Sequence, residues 1–440
     1  MADFAVSSDP AVQRQLNRLA TLSPGADVLG LERIAALLDR LGNPHRALPP
    51  IFHVAGTNGK GSTCAFLRAA IEASGRKVHV YTSPHLVRFN ERIRIAGSLI
   101  EDELLASLLA EVLDIAEGIS PSFFEVTTAA AFLAFARHPA DACIIEVGLG
   151  GRLDATNVLE NPVVSGIAQL GIDHQFFLGD RIEQIAAEKA GIAKHGVPLV
   201  THHYPASQAN EIGRAVAAVG ALWLDKGGTW DASVYRGKLH YRDEVGELEL
   251  PLPRLPGAHQ AANASLAVAM LRHQHAIEIP VASLRAAMGW AEWPARLQRL
   301  ASGPIPALLP AGSELWLDGG HNPAAGRAIA DFFRNRLAPG RPFHLILGML
   351  ANKDARGFLE PFAGSHVHIH AVPVEGHAHH DAAAIHAAAT ELGLAADSAS
   401  DAASALRAIA ALGGEPPLVL IGGSLYMAGT VLAANGTPPT

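Results

Sequence analysis

Cysteine is almost absent: Cys64 and Cys143 are the two in 440 residues. Both fall in segments expected to be regular and buried, as free thiols in a reducing compartment usually are. Charge is sparse as well, with 17% of residues charged, a formal net charge of -8 and no long basic run. That composition excludes nucleic acid as a main partner, so a small anionic substrate must be drawn by local cations. The chain also lacks a membrane-length apolar run. The uncharged stretch Pro416 to Thr440 is split by Gly422-Gly423-Ser424 into a strand, Leu418–Ile421, and a helix, Leu425–Ala433, each too short to cross a bilayer. Asp3 and Asp9 precede any apolar run, unlike a signal peptide. A soluble, cytoplasmic, monomeric protein is expected, with no membrane partner.

Hydrophobic residues make up 49% of the chain, enough for a large core and, at this length, two or three domains. Strands are expected at Ile51–Ala55, Val78–Tyr81, Ala142–Glu146, Val163–Ala168 and Val197–Val200. Helices are expected at Ser62–Ser74, Asp102–Glu117, Glu125–Arg137, Ile182–Ile192 and Ala206–Val219. This alternation predicts an α/β fold with a mainly parallel sheet, helices on both faces, and ligands at the carboxyl ends of the strands. Tyr235 to Leu250 predicts a small antiparallel excursion. A second alternating series begins after Pro294, with strands at Leu315–Asp318, Phe343–Leu347, Val367–Ala371 and Leu418–Ile421 and helices at Ala324–Arg336 and Ala402–Leu412. It predicts a smaller Rossmann-like α/β domain over 294–440, following a larger domain over 1–293.

The segment Gly56-Thr57-Asn58-Gly59-Lys60-Gly61-Ser62 lies between a strand and a helix. Small residues there let backbone N–H groups approach phosphate oxygens, and the helix turns its positive end toward them. Lys60 can reach the outer phosphates, and a hydroxyl at Ser62 or Thr63 can help hold Mg²⁺. The match to the usual phosphate loop is imperfect: Val54 stands where a glycine is usual, and Gly61 separates the lysine from Ser62. The competing reading is a glycine-rich turn without a ligand.

Four further places carry chemistry. Glu146 ends an apolar strand before Val147-Gly148-Leu149-Gly150-Gly151, which suits a carboxylate on Mg²⁺, or else a cap on the next turn. His174, after Leu170-Gly171-Ile172-Asp173, is a metal or phosphate contact, or one surface histidine among 22. Lys189, late in a helix, reads from the residues alone as a solvated lysine favoured by the helix C-terminus. Asp318-Gly319-Gly320-His321-Asn322-Pro323 reads either as a catalytic βα loop or as turn chemistry. The histidines of His366-Val367-His368-Ile369-His370 alternate onto one strand face, with His377, His379 and His380 in the loop beyond. Without visible partners for a zinc ion, a solvated edge strand is expected there.

Taken in order, these segments resemble the folylpolyglutamate synthase/dihydrofolate synthase family of Mur-type amide ligases. The likeness also rests on Leu29-Gly30-Leu31-Glu32-Arg33, Thr82-Ser83-Pro84-His85-Leu86, Asn90-Glu91-Arg92-Ile93 and Ser122-Phe123-Phe124-Glu125. Glu146 to Asn157, Glu188 to Ile192, Gly257-Ala258-His259-Gln260 with Asn263, Pro294 to Gln298, and Gly423-Ser424-Leu425-Tyr426 complete it.

The resemblance implies ATP-dependent joining of L-glutamate to dihydropteroate, and extension of reduced folates, through an acyl phosphate. It implies that Ser83, Glu146 and His174 ligate two Mg²⁺ ions, with K⁺ as a further ion, and that Lys189 is carbamylated, against the residue-level reading. It further implies that Gly56 to Ser62, Asn263, Arg296 and Asp318 hold the nucleotide. Asp318 and His321 would close over the site from the second domain, excluding water. Leu29, Gly30, Ser83, Phe124, Asp154 and Ala155 would serve the pterin substrate. Two departures stand out: Ala295 where the family often has glycine, and Gly320 where it often has alanine. A peptidoglycan Mur ligase is a competing reading, although only 55 residues precede Gly56. A non-synthetic phosphate-loop ATPase and a pterin-binding protein without catalysis are two others.

Overall fold

The structure is a computed structural model that describes residues 5–22 and 29–440. Asp3 therefore lies outside the described residues. The chain forms two compact units. The larger gathers the described residues up to Arg254 with His259–Glu292, and the smaller takes Leu255–Ala258 with Trp293–Pro439.

The larger unit is built on an eight-stranded sheet: β1 (Ile51–Ala55), β2 (Val78–Tyr81), β3 (Ile93–Ile95), β4 (Ser98–Leu99), β5 (Ala142–Glu146), β6 (Val164–Ile167), β7 (Pro198–Thr201) and β8 (Leu222–Asp225). Their order is β4-β3-β2-β5-β1-β6-β7-β8. β2–β3 and β3–β4 pair antiparallel at one edge, while the other neighbours run parallel. β1 and β5 are buried at every position, which explains their unbroken apolar runs.

One face of this sheet packs α1 (Pro10–Leu22), α2 (Glu32–Arg40), α4 (Asp102–Asp114), α5 (Phe123–Arg137), α7 (Ile182–Ala190) and α8 (Ala206–Val219). The opposite face carries α3 (Lys60–Ala73), α9 (His259–Arg272) and α10 (Val281–Trp290). There α9 comes so close to β6 that a methyl on Gly166 would lie 2.4 Å from Met270 Sδ. A short α6 (Gln175–Leu178) precedes α7. The antiparallel excursion is a separate three-stranded sheet of β9 (Asp231–Tyr235), β10 (Lys238–Asp243) and β11 (Gly246–Pro251).

The smaller unit has six strands: β12 (Gln298–Arg299), β13 (Glu314–Asp318), β14 (Phe343–Leu347), β15 (Val367–Ala371), β16 (Ala395–Ser398) and β17 (Leu418–Gly422). The order is β12-β13-β17-β14-β15-β16, parallel apart from β12. Its main core lies between one sheet face and α11 (Pro323–Arg334), α12 (Ala355–Leu359) and α13 (Ala382–Glu391). α14 (Ala402–Ala411) and α15 (Leu425–Ala434) complete it.

Two expectations are corrected here. β15 is an interior strand flanked by β14 and β16, and His370 on it is buried, so the histidine segment is not a solvated edge. Its partners come from strands far apart in sequence, which local alternation cannot reveal. Among the described residues no helix is long and apolar enough to cross a membrane, and the apolar C-terminal stretch is β17 followed by α15.

Candidate active site

Four neighbouring parallel strands, β2-β5-β1-β6, present their carboxyl ends on one edge of the larger sheet. The loop after β1 is Gly56 to Gly59. Its last residue has φ +86, and a methyl there would meet Asn263 Oδ1 at 2.3 Å, so only glycine fits between the loop and α9. α3 begins at Lys60, leaving the first-turn N–H groups free of helical partners and able to receive an anion. The Lys60 ammonium folds back on the Gly56 carbonyl at 3.1 Å. Thr63 is fully buried, with no protein partner for its hydroxyl, and Ser62 beside it is buried too.

The loop after β6 is tied to this one. Gln169 O accepts from the N–H groups of Thr57 and Asn58 at 2.8 and 3.1 Å. Thr57 Oγ1 donates to Gly171 O at 2.9 Å and accepts from Gly171 N at 3.1 Å. This loop ends at His174, half-buried, with φ 52 at the start of α6. Gln169 and Gly171 were missed by sequence reasoning, because a backbone carbonyl and an N–H carry no residue signature.

The loops after β2 and β5 meet at Glu146, which is 4% exposed and accepts from Ser83 N at 3.2 Å. The β2 loop is shaped by Glu91, whose carboxylate accepts from the N–H groups of Leu86, Val87 and Arg88. After Glu146, Phe124 lies against Gly148, where a methyl would sit 2.4 Å from the ring. Asp154 is buried beneath this loop. It accepts from Leu149 N at 2.8 Å, from Thr156 N at 3.0 Å and from Thr156 Oγ1 at 2.5 Å, and burial raises its pKa. Ala155 is buried beside it.

Leu29 and Gly30 lead into α2, where Arg33 pairs with Glu125 at 3.0 Å. Glu125 also caps its own helix, accepting from Ser122 N at 2.6 Å. The Ser122 to Glu125 motif is thus largely architectural: it docks the Leu29 segment against α5.

Lys189 is 4% exposed, which overturns the solvated reading. Gly151 packs on the end of α7, where a methyl would lie 2.7 Å from Glu188 O and 3.0 Å from Lys189 Cα. Asn157 Nδ2 donates to Arg152 O and Gly191 O, both at 3.0 Å, closing the β5 loop onto that helix end. Burial pushes the Lys189 ammonium down to about 7. The charge of Lys60 adds to that, and Asp173, Asp154 and Glu188 partly offset it. Lys189 therefore lies within electrostatic reach of the β1, β5 and β6 loops. A late-helix lysine in an alanine-rich segment gave no sign of this.

In the smaller unit Asp318 ends β13 and is buried. It accepts from Leu297 N and Gly320 N, both at 2.7 Å, joining its own loop to the Arg296 segment. Gly319 N donates to Ala295 O at 2.9 Å, and Arg296 Nη1 donates to the same carbonyl at 2.9 Å. His321 Nδ1 lies 2.9 Å from Gly319 O. Asn322 caps α11 through its side chain, with Pro323 opening the helix. Arg296, Asp318 and His321 thus belong to one knot of loops. Ala295 has φ 55, the left-handed region in which glycine is preferred. A methyl on Gly320 would sit 2.8 Å from both Ala325 Cβ and Asp318 Oδ1, which accounts for glycine there.

Residues 308–425 match the family model described as Mur ligase, glutamate ligase domain. The dihydrofolate synthase/folylpolyglutamate synthase of Bacillus subtilis (strain 168) is 36% identical over 349 residues, covering 75% of this chain and 78% of that one. The solved structure of E. coli FolC in complex with DHPP and ADP is similar at a TM-score of 0.86 and 32% identity, over 97% of each chain. A bifunctional folylpolyglutamate synthase/dihydrofolate synthase with Mn, AMPPNP and L-glutamate bound gives a TM-score of 0.84 at 31% identity, over 97% of this chain and 99% of that one. The chain belongs to the folylpolyglutamate synthase/dihydrofolate synthase family, and it is an ATP-dependent glutamate ligase.

Proposed function

We propose that this enzyme joins L-glutamate to dihydropteroate and extends reduced folates with further glutamates. The reading is carried by one observation: four adjacent strand ends supply an anion cradle and a buried carboxylate, and the β5 loop packs on the helix end that carries the buried Lys189. Residues 1–293 are taken as the ATP- and pterin-binding domain and 294–440 as the glutamate-ligase domain.

The nucleotide fits a loop where even one methyl would collide with Asn263. Backbone N–H groups from Gly59 onward hold the phosphates, Lys60 neutralises the γ-phosphate, and Arg296 is the nucleotide contact of the smaller unit. Divalent metal suits the Glu146 carboxylate, which Ser83 N already approaches, and Ser83, Ser62 and His174 are proposed as its companions; when bound the ion would supply charge neutralisation at the phosphates. The substrate carboxylate attacks the γ-phosphorus and ADP leaves, giving an acyl phosphate. The glutamate amine then attacks the acyl carbon, its proton passes to a base, and phosphate departs. Asp318 and His321 are proposed to serve this second step.

Carbamylation of Lys189 is part of the proposal. CO₂ adds to a neutral amine, and a pKa of about 7 leaves a substantial neutral fraction at neutral pH. The product is an anion, favoured by the Lys60 charge and by bound divalent metal and opposed by Asp173, Asp154 and Glu188. Leu29, Gly30, Phe124, Asp154 and Ala155 are proposed to receive the pterin.

The deciding experiment is product analysis with ATP, glutamate and either dihydropteroate or tetrahydrofolate. Glutamylated product from both substrates supports the bifunctional reading. Product from one alone narrows it, and ADP formation that does not depend on glutamate would overturn it.

A further inference from the structure

Three adjacent strands of the smaller sheet bring imidazoles and a carboxylate onto one face. His344 on β14 stands beside His368 on β15, and His370 on β15 stands beside Asp397 on β16. This face is opposite the core formed with α11, α12 and α13. His344 Nδ1 lies 3.0 Å from His370 Nε2, and His368 Nε2 lies 2.8 Å from Asp397 Oδ2. The rings of His368 and His370 stack with centroids 4.8 Å apart. One donor atom from each of His368, His370 and Asp397 falls within 4.8 Å of the other two.

We propose that His368, His370 and Asp397 hold a divalent transition-metal ion of the zinc class, with His344 orienting the His370 ring. In a tetrahedral zinc site with bonds of about 2.0–2.1 Å, neighbouring donor atoms stand roughly 3.3 Å apart. The three donors therefore need only small rotations to reach that spacing. Two nitrogens and one carboxylate oxygen make a common zinc set, and a fourth position is left for water. Asp397 is exposed and His368 partly so, which gives an ion a way in from solvent. His370 is buried, and its contact with His344 is the kind of second hydrogen bond that fixes a ligating imidazole.

The ion would clip β16, the outermost strand, to β15. None of these side chains is among those assigned to the nucleotide, the pterin or the acyl transfer. The hydrogen-bonded side chains alone offer a competing account, in which the cluster is a structural polar patch without an ion.

The test uses the full chain, freed of metal, in excess Mg²⁺ so that oxygen-rich sites are filled. Co²⁺ is titrated while visible absorption is recorded, and Zn²⁺ is then added. The expected result is one equivalent of Co²⁺ with the intense ligand-field bands of a four-coordinate ion, displaced by Zn²⁺. In His368→Gln and Asp397→Asn the affinity should fall by more than the roughly 10- to 100-fold that loss of an outer partner costs. Zn²⁺ should raise the melting temperature of the parent chain and not of the variants. Both variants change groups that reach solvent, and unchanged metal-free melting temperatures will show that they fold. Absence of the bands in the parent chain overturns the proposal, as do bands that persist undiminished in both variants.

Discussion

In the larger unit, the loops at the carboxyl ends of the sheet bury charge. Glu146 receives one backbone N–H from Ser83, and Lys189 is enclosed by the β5 loop with its pKa far below the ordinary lysine range. In the smaller unit the corresponding loop buries Asp318, but both carboxylate oxygens are engaged by backbone N–H groups of its own knot. One set of loops buries ionisable groups of both signs, and the other uses a carboxylate to fix the backbone around Arg296 and His321. The same device, a βα loop on a parallel sheet, can store electrostatic cost in one place and remove it in another.

The largest expected effect lies in the first set. Lys60→Ala should lower kcat/KM by about 10³-fold, since it removes a cation at the phosphates where charge develops. Measured with dihydropteroate and with tetrahydrofolate, the loss should be similar. Activity within a few-fold of the parent would break the comparison, because Lys60 would then be spectator charge.

Lys189→Met comes next. Activity should fall by about 10²-fold, while the parent enzyme should lose activity on CO₂ removal and regain it with bicarbonate. Stability should move the other way. With a folded pKa near 7 against the ordinary 10.5, the unfolded chain binds the extra proton between those values. The cost of burying this lysine is then fully present below pH 7 and fades as pH rises toward 10.5. In CO₂-free buffer, where the amine is unmodified, the variant should gain most in urea denaturation below pH 7 and least at high pH. An equal gain at every pH would show that the amine is not displaced by burial.

Gly59→Ala and Gly340→Ala sharpen the contrast between crowding and backbone strain. Both glycines have positive φ, but Gly340 has no neighbour in reach of a methyl. Gly340→Ala should cost about 1 kcal/mol of stability and leave kinetics alone. Gly59→Ala should cost more and raise the KM for ATP roughly tenfold, about 1.4 kcal/mol. Similar kinetics in the two variants would remove Asn263 from the argument.

Ala295→Gly should have the smallest effect. Relief of the left-handed backbone, about 1 kcal/mol, is offset by a lost buried methyl of about 0.8 kcal/mol. A net change within about 0.5 kcal/mol is expected by thermal denaturation. A large loss would mean that the Arg296 knot depends on packing rather than on its hydrogen bonds.

Much of this architecture was legible in the residues. Ile51–Ala55, Phe343–Leu347 and Val367–Ala371 are strands at the expected bounds, because buried parallel strands are short apolar runs between turns. The expected helix Ala206–Val219 also stands as read. Less visible were α1, whose partners α4 and α5 lie far along the chain, and β16, a short and mostly exposed strand. The loop around Lys60 was legible because glycines mark a close approach of backbone. The environment of Lys189 was not, since its burial comes from Gly151, Arg152 and Asn157 on a loop three elements away. The histidine strand misled for the same reason, as His344 and Asp397 arrive from neighbouring strands.

The reciprocal pair of hydrogen bonds between Thr57 and Gly171 has a practical consequence. Whatever disturbs the first of these segments must alter the magnetic surroundings of the second. An amide resonance assigned to Gly171 would therefore register nucleotide arrival while every reacting group remained untouched by a label.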